Sequence, residues 1–433
     1  MPRRKSKNDR AWEILFNEEN ILEKINQDGL FYISSARINE QREARLMAKF
    51  DHVVQLPKIF SKNKLSILPV SRRGYVIGHF DSYFNLPEKH SAEIVYLSLP
   101  EHIETIDPQN IYSESSAILC AFHSGMISDV IGEEVDITVL SRMSTGIFDY
   151  QIQDIKKSIN QTISVENSQC EIDGGFEGEN KFAIIEAKCE SVEDFIVRQL
   201  YYPYRLWKSK TNKEVVPIFL SISNDIFSFY KFRFSNFSTY NSIELISEHR
   251  YCLGFYGIEI SNIRNILENI KIIPDLEQIP FPQADHFPRI VDLLGRLHNA
   301  NKPLSKDEIT LVYAFDVRQT QYYVSAAIYL GLIDRVRVKN DVTFALSSKG
   351  QFIMIQYPQN RNLELAKSIL CHRIFNLSLR AYLQKAEIPS VKDIVLIMKM
   401  GTEEIATSSQ TTCERRAQTV RGWISWILEL TKT

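Results

Sequence analysis

The chain has 433 residues, 44% of them hydrophobic and 24% charged. That composition belongs to a folded protein too long for one core, with no apolar run long enough to span a membrane. The formal net charge of −2 hides a division: residues 1–75 carry 15 Lys/Arg against 9 Asp/Glu, residues 76–285 carry 16 against 31, and residues 286–433 carry 20 against 13.

Basic ends suit a polyanion, and an acidic middle suits divalent cations. The six cysteines are scattered with no CxxC pair, which argues against a zinc finger or a disulfide scaffold. The opening MPRRKSKNDR lacks the apolar segment of a secretory signal, so a cytoplasmic location is expected.

Apolar spacing predicts a helix over 11–26. Strand-like pieces follow at 30–34, 65–70 and 75–80, with Arg37, Arg42, Arg45, Arg72 and Arg73 interleaved. Residues 113–131 read as one helix capped by Ser113. Strands are expected at 135–140, 147–153, 161–173 and 181–188, a helix interrupted near Pro203 over 192–209, and β-rich runs at 215–223 and 226–234. This order predicts a mixed sheet with helices on its faces.

Residues 272–285 have the composition of a linker. Three helices and a hairpin then follow, turned at Lys339-Asn340-Asp341, with Ser305 and Glu308 spaced as a capping box. That is winged-helix order. Residues 411–430 read as a second helix-turn-helix unit, with Trp423 and Trp426 turned to its core. The expected segments are 1–109 (an α+β region), 110–271, 272–285, 286–357 and 358–433.

The chemistry concentrates at EIDGGFEGENKFAIIEAK, residues 171–188. Residues two apart on a strand share a face, so Glu186 and Lys188 point one way and Ile185 and Ala187 the other. If 168–173 pairs with 181–188 across a loop loosened by Gly174, Gly175 and Gly178, Asp173 falls beside Glu186. Carboxylate oxygens hold Mg²⁺, and a nearby lysine can position a water. The pattern Asp/Glu-x-Lys also occurs at Asp154-Ile155-Lys156, read as a solvated helix, and at Glu179-Asn180-Lys181, read as polar loop. The bland alternative for Glu186 and Lys188 is a buried ion pair.

Asp173…Glu186-Ala187-Lys188 resembles the PD-(D/E)XK nuclease superfamily, the fold of many type II restriction endonucleases, over roughly residues 110–260. Ile172 stands where the motif has proline. The resemblance implies an α/β (α+β) multidomain protein with a restriction-endonuclease-like mixed central sheet flanked by helices, plus a mostly α winged-helix C-terminal region. It implies Mg²⁺ held by Asp173 and Glu186, a water positioned by Lys188, and cleavage of double-stranded DNA to 5′-phosphate ends. Glu114 matches the place of an additional catalytic acid from the preceding helix; a first-turn glutamate favoured by the helix dipole is an equal alternative. Gln199 sits where some members use a polar residue, and reads first as a surface glutamine.

On the same resemblance the partners are DNA, a second copy of the chain and, genetically, a cognate DNA methyltransferase. The stretch ARINEQREARLMAKFDHVVQLP is similar to the leading region of some bacterial restriction enzymes. A recognition helix beginning near Asp316 would offer Arg318, Gln319, Thr320, Gln321 and Tyr323 to base edges, with Tyr322, Ile328 and Leu330 facing the core. Arg335, Arg337 and Lys339 of the wing would meet phosphates. Two other readings stand: a modification- or structure-dependent defence nuclease, and a non-catalytic winged-helix regulator.

Overall fold

Most apolar residues of positions 11–67, with Ile77, make one small core, while Leu68, Val70, Val76 and Phe80 join the core of the middle part. The computed structural model describes residues 6–87, 90, 92–108, 111, 113–253, 257–274, 280–300, 302–312, 317–338, 341–399 and 409–431. Helix α1 (Lys7–Glu18) begins at a Ser6–Asp9 capping box. The helix predicted over 11–26 is two, because Asn20 adopts a left-handed φ of 51° and turns the chain into α2 (Ile21–Asp28). After β1 (Leu30–Ser34) come the short helices α3 (Ser35–Asn39), α4 (Ala44–Ala48) and α5 (Lys58–Asn63), then β2 (Ser66–Ser71) and β3 (Gly74–Gly78). Trp12, Phe16 and Phe60 pack edge to face at its centre.

The middle opens with β4 (Tyr83–Asn85) and β5 (Ile94–Leu97). The helix predicted over 113–131 breaks at Gly125, φ 80°, into α6 (Glu114–His123) and α7 (Met126–Ile131). Ser113 does cap α6, accepting from Ser116 N. Strands β6 (Asp136–Ser144), β7 (Ile147–Asp154), β8 (Ile159–Glu166), β9 (Gln169–Glu177), β10 (Lys181–Lys188) and β11 (Asp194–Ile196) follow. Then come α8 (Arg198–Lys208), β12 (Glu214–Ser223), β13 (Ile226–Phe234) and β14 (Ile243–Leu253). The helix predicted over 192–209 thus starts only at Arg198, and Pro203 lies inside it.

Two sheets result. One has the order β1-β3-β2-β8-β7 and joins the N-terminal strands to the β7–β8 hairpin. The other has the order β5-β14-β13-β12-β10-β9-β6. In it β6, β9 and β10 run antiparallel in sequence, and β12 returns parallel to β10 after α8. Alternation along β10 divides its side chains. Phe182 and Ile184 join the core shared with α8 and the five-stranded sheet, while Ala183, Ile185 and Ala187 pack on α6 and α7.

Two local expectations change. Gly174 and Gly175 lie within β9, paired to Ile185 and Ile184, not in a loop. A Cβ on Gly175 would come within 2.8 Å of the Val139 Cβ, so close packing fixes its size. Asp154 is fully buried at the end of β7 and accepts from Lys156 N and Lys157 N at 2.9 Å, closing the hairpin turn instead of decorating a helix.

The C-terminal part contains α9 (Ile260–Asn269), α10 (Pro288–Asn299), β15 (Leu304–Ser305), α11 (Lys306–Val312), α12 (Val317–Tyr329), β16 (Ile333–Val338) and β17 (Asp341–Leu346). Helices α13 (Ser348–Met354), α14 (Pro358–Leu370), α15 (Arg373–Lys385), α16 (Val391–Lys399) and α17 (Gln410–Glu429) complete it. The Ser305–Glu308 capping box forms as read, with Glu308 N donating to Ser305 Oγ and Ser305 N to Glu308 Oε2. Strand β15 pairs with β17, which pairs with β16.

The segments 286–357 and 358–433, expected as two units, share one hydrophobic core that also takes in α9. The described residues of the predicted linker pack on that core: Ile273 N donates to Cys371 O, Ala284 is buried and Phe281 stacks on Phe375. The predicted second helix-turn-helix is instead the single continuous helix α17, capped by Ser409, with Trp423 and Trp426 buried. No helix among the described residues is long and apolar enough to cross a membrane.

Candidate functional site

The pairing of β9 with β10 sets Ile185 opposite Gly174. One further step of that register places Asp173 opposite Glu186, at the end of the sheet where β10 leaves for α8. Asp173 Oδ2 accepts from Ala187 N at 2.8 Å, which fixes its carboxylate across the strand pair. Lys188 Nζ lies 2.5 Å from Glu186 Oε1 and 3.7 Å from Glu114 Oε1. It also donates to Ala187 O at 3.1 Å. The four residues named from the sequence are therefore brought together, with Glu114 supplied by the first turn of α6.

Gln199 is not a surface residue. It lies in the first turn of α8, 9% exposed, and its Nε2 donates to Glu186 Oε1. The strand–helix connection aims it there, since β11 and Val197 bring the helix start against the end of β10.

The electrostatics follow from burial. Burial pushes the Glu186 carboxyl up to about 8, against the pull of Lys188 and with help from Asp173. Burial raises Asp173 as well, opposed by Lys188 and the Ala187 N–H. For Lys188 burial acts to lower the pKa, but Glu186 and Glu114 outweigh it and hold the ammonium firmly charged.

Two acids that sequence reading missed adjoin Lys188. Asp51, between α4 and α5, is buried, yet Lys188 and Lys49 hold its carboxylate below the ordinary value against that burial. Its backbone O accepts from Ile196 N at 2.9 Å, which pins the N-terminal segment to β11. Glu190 is buried and pushed up to about 7, chiefly by that burial. Neither had a signal in the sequence: Asp51 lies far along the chain, and Glu190 follows the motif with no periodic partner.

Asp51 Oδ1, Glu190 Oε2 and Gln199 Oε1 are buried acceptors without a hydrogen-bond donor. Unsatisfied hard oxygen acceptors suit a hard cation, with Lys49 and Arg198 also facing Asp51, and His52 and Arg296 facing Glu190 more strongly than Lys188 does. Among the described residues no group of three or more His, Cys, Asp or Glu is placed to hold a metal ion. Mg²⁺ asks for less, since one or two carboxylates plus waters and substrate oxygens satisfy its octahedron. Asp173 and Glu186 fit that requirement.

Three family models match the chain, each described as a domain of unknown function: DUF6996 over residues 9–77, DUF6997 over 78–252 and DUF7226 over 289–432. No curated protein and no solved structure matches. The matched segments divide the site's surroundings. Glu114, Asp173, Glu186, Lys188 and Gln199 all fall in the middle segment, and Asp51 in the first.

The residues proposed for DNA contact separate into several groups. Thr320 is fully buried and shares a hydrogen bond with Thr310 at 2.9 Å, so it faces the helix pair and not a groove. Tyr323 is buried in the core too, not offered to a groove, while Tyr322 and Ile328 pack against that core and Leu330 lies within it, as the sequence implied. Gln319 and Gln321 are half-buried, and Gln321 bonds Lys306 Nζ and Ser325 Oγ. Arg318 lies in α12, its side chain outside the described residues, as are Asp316 and Lys339.

Arg335 and Arg337 are exposed on β16. Arg37 is clamped by Glu18, Glu19 and Glu40 at 2.5–2.6 Å, so its charge is spent within the fold. Arg42 is half-buried and bonds Asn8 Oδ1. Arg45, Arg72 and Arg73 are exposed, the last two at the tip of the β2–β3 turn.

Proposed function

We propose that this chain is a Mg²⁺-dependent, site-specific endonuclease acting on double-stranded DNA, a type II restriction enzyme of the PD-(D/E)XK kind. The observation that carries the reading is Asp173 bonded to Ala187 N at 2.8 Å, beside Glu186, with Lys188 bonded to Glu186 at 2.5 Å, on the antiparallel strands β9 and β10 of a mixed sheet. The sequence of one helix, three antiparallel strands, a crossover helix and a parallel strand around this constellation resembles that superfamily's core. The C-terminal order of helix, short strand, two helices and hairpin resembles a winged helix, with Arg335 and Arg337 available to phosphates.

Asp173 and Glu186 would hold the cation, which supplies charge neutralisation at the phosphate and acidifies a bound water. The chain's own groups do the rest. The Ala187 N–H orients Asp173, and the Gln199 amide orients Glu186. Lys188, kept charged by its acidic neighbours, presents an ammonium to the water and to the developing phosphorane charge.

Incubation of unmethylated phage DNA with the protein and Mg²⁺ should give discrete fragments, and sequencing of their ends should return one short motif with 5′-phosphates. Cutting confined to methylated DNA would transfer the reading to a modification-dependent defence nuclease. No cutting of either substrate would defeat it.

The raised Glu186 carboxyl adds a second expectation. Below its pKa of about 8 the cation must displace a proton. Cation affinity should therefore climb as pH rises from about 6 to about 8, with proton release on binding that fades above that range. Titration calorimetry in two buffers of different ionisation enthalpy measures both, and an affinity flat over the range would contradict the assignment of Glu186.

A further inference from the structure

The ends of β10 and β12 are held by a residue from outside their own segment. Asp292, on the first turns of α10, is 7% exposed and points across the junction. Its Oδ2 accepts from Ser191 N at 2.9 Å, three residues beyond Lys188. Both of its oxygens lie 3.0 Å from Ser223 Oγ, at the end of the parallel neighbour β12. Ser221 Oγ donates to Glu190 O at 2.8 Å, a second tie between the same two strand ends.

Charged contacts flank this point. Arg289 of α10 bonds Glu193 at 3.0 Å, and Arg361 of α14 pairs with Asp225 just past β12. His286 Nε2 lies 3.2 Å from Ser191 Oγ. The 189–193 segment, which leads from Lys188 towards Gln199, is thus gripped by the C-terminal part at Ser191 and Glu193.

We propose that Asp292 is a positioning residue for the Asp173–Glu186–Lys188 site, so that the C-terminal part completes the catalytic strand's geometry as well as binding DNA. The inference rests on the nuclease reading for its kinetic consequence. The physical argument is one of leverage. Ser191 N–H is a half-buried backbone donor whose acceptor is the buried Asp292 carboxylate, and without it this tie between the connection and α10 is lost. Lys188 ends the strand that runs into this connection, three residues before Ser191, and a misplacement of about 1 Å in a catalytic group costs up to about 100-fold in rate.

Two substitutions separate positioning from mere attachment. Asp292→Ala removes both acceptor oxygens. Asp292→Asn keeps an oxygen for Ser191 N–H and offers an amide to Ser223 Oγ; burial already pushes the Asp292 carboxyl up to about 7, so a neutral side chain is tolerated there. The expected result is a fall of about 10- to 100-fold in single-turnover cleavage for the alanine variant and near-complete rescue by asparagine, with DNA affinity unchanged in a gel-shift assay.

Hydrogen exchange of the peptide 186–193 is read alongside and should quicken in the alanine variant alone. A folded alanine variant that cuts at the wild-type rate, or whose affinity and rate fall together, overturns the proposal, and so does unchanged exchange at 186–193. Wild-type protein that binds DNA but never cuts defeats the nuclease reading; the exchange result then decides by itself whether Asp292 sets the strand end.

Discussion

Lys188→Ala and Asp173→Asn are each expected to abolish DNA cleavage, by about 1000-fold or more in single turnover, while leaving DNA affinity within about twofold. The two changes fail for different reasons. Among the described residues Lys188 is the one cation bonded to Glu186, and its side chain is 12% exposed. Its removal leaves Glu186, Glu114 and Asp173 in mutual repulsion, and Glu186 answers by holding its proton more tightly. The variant should fold, with the loss reported in a higher pH requirement for cation binding as well as in rate.

Asp173→Asn is the cleaner test. An asparagine oxygen can still accept from Ala187 N, so strand geometry survives while the charge that would face the proposed cation is gone. Full cleavage by the Asp173→Asn protein in Mg²⁺ would sink the role given to that residue.

Trp423→Ala should destabilise the C-terminal part by about 3–5 kcal/mol, measured by urea unfolding. The indole is fully buried, stacks on Phe375 with centroids 4.9 Å apart and meets Phe287 edge to face at 5.2 Å. Its Nε1 donates to Ala284 O at 2.6 Å, so truncation also orphans a buried carbonyl. The adjacent Gly422 explains the intimacy: a Cβ there would come within 2.1 Å of Asp285 O, so only glycine lets α17 press against that backbone. A loss below about 1 kcal/mol would mean the cavity collapses without cost, contrary to how large-to-small changes behave in packed cores.

What the sequence made legible was periodic or strictly local. The face-sharing of Glu186 and Lys188, the Ser113 and Ser305 caps and the hairpin of β16 and β17 all follow from neighbours a few residues apart. Asp173 was found because a hairpin is the shortest route back to its partner. Gln199 lay hidden because its burial depends on where α8 docks, which no pattern within 198–208 encodes.

Asp51 and Asp292 were invisible for a stronger reason. Each reaches the site from a segment with its own core, and single-sequence patterns carry no information on how cores meet. Thr320 and Tyr323 misled through helical phase: polar and aromatic types at the start of α12 look like readers of a groove until the packing of α11 is known. Arg37 misled through charge, because a basic residue among acidic neighbours counts as free only until the neighbours fold onto it.

The β7–β8 hairpin has a consequence for inheritance. It is encoded between β6 and β9, yet it is laid down on the edge of the N-terminal strands, with Ser71 beside Glu166. The gene segment for residues 78–252 therefore carries two strands of its neighbour's sheet. A recombination event at the 77/78 boundary would hand the recipient a sheet edge shaped for a different partner, with open amides awaiting any strand that came by.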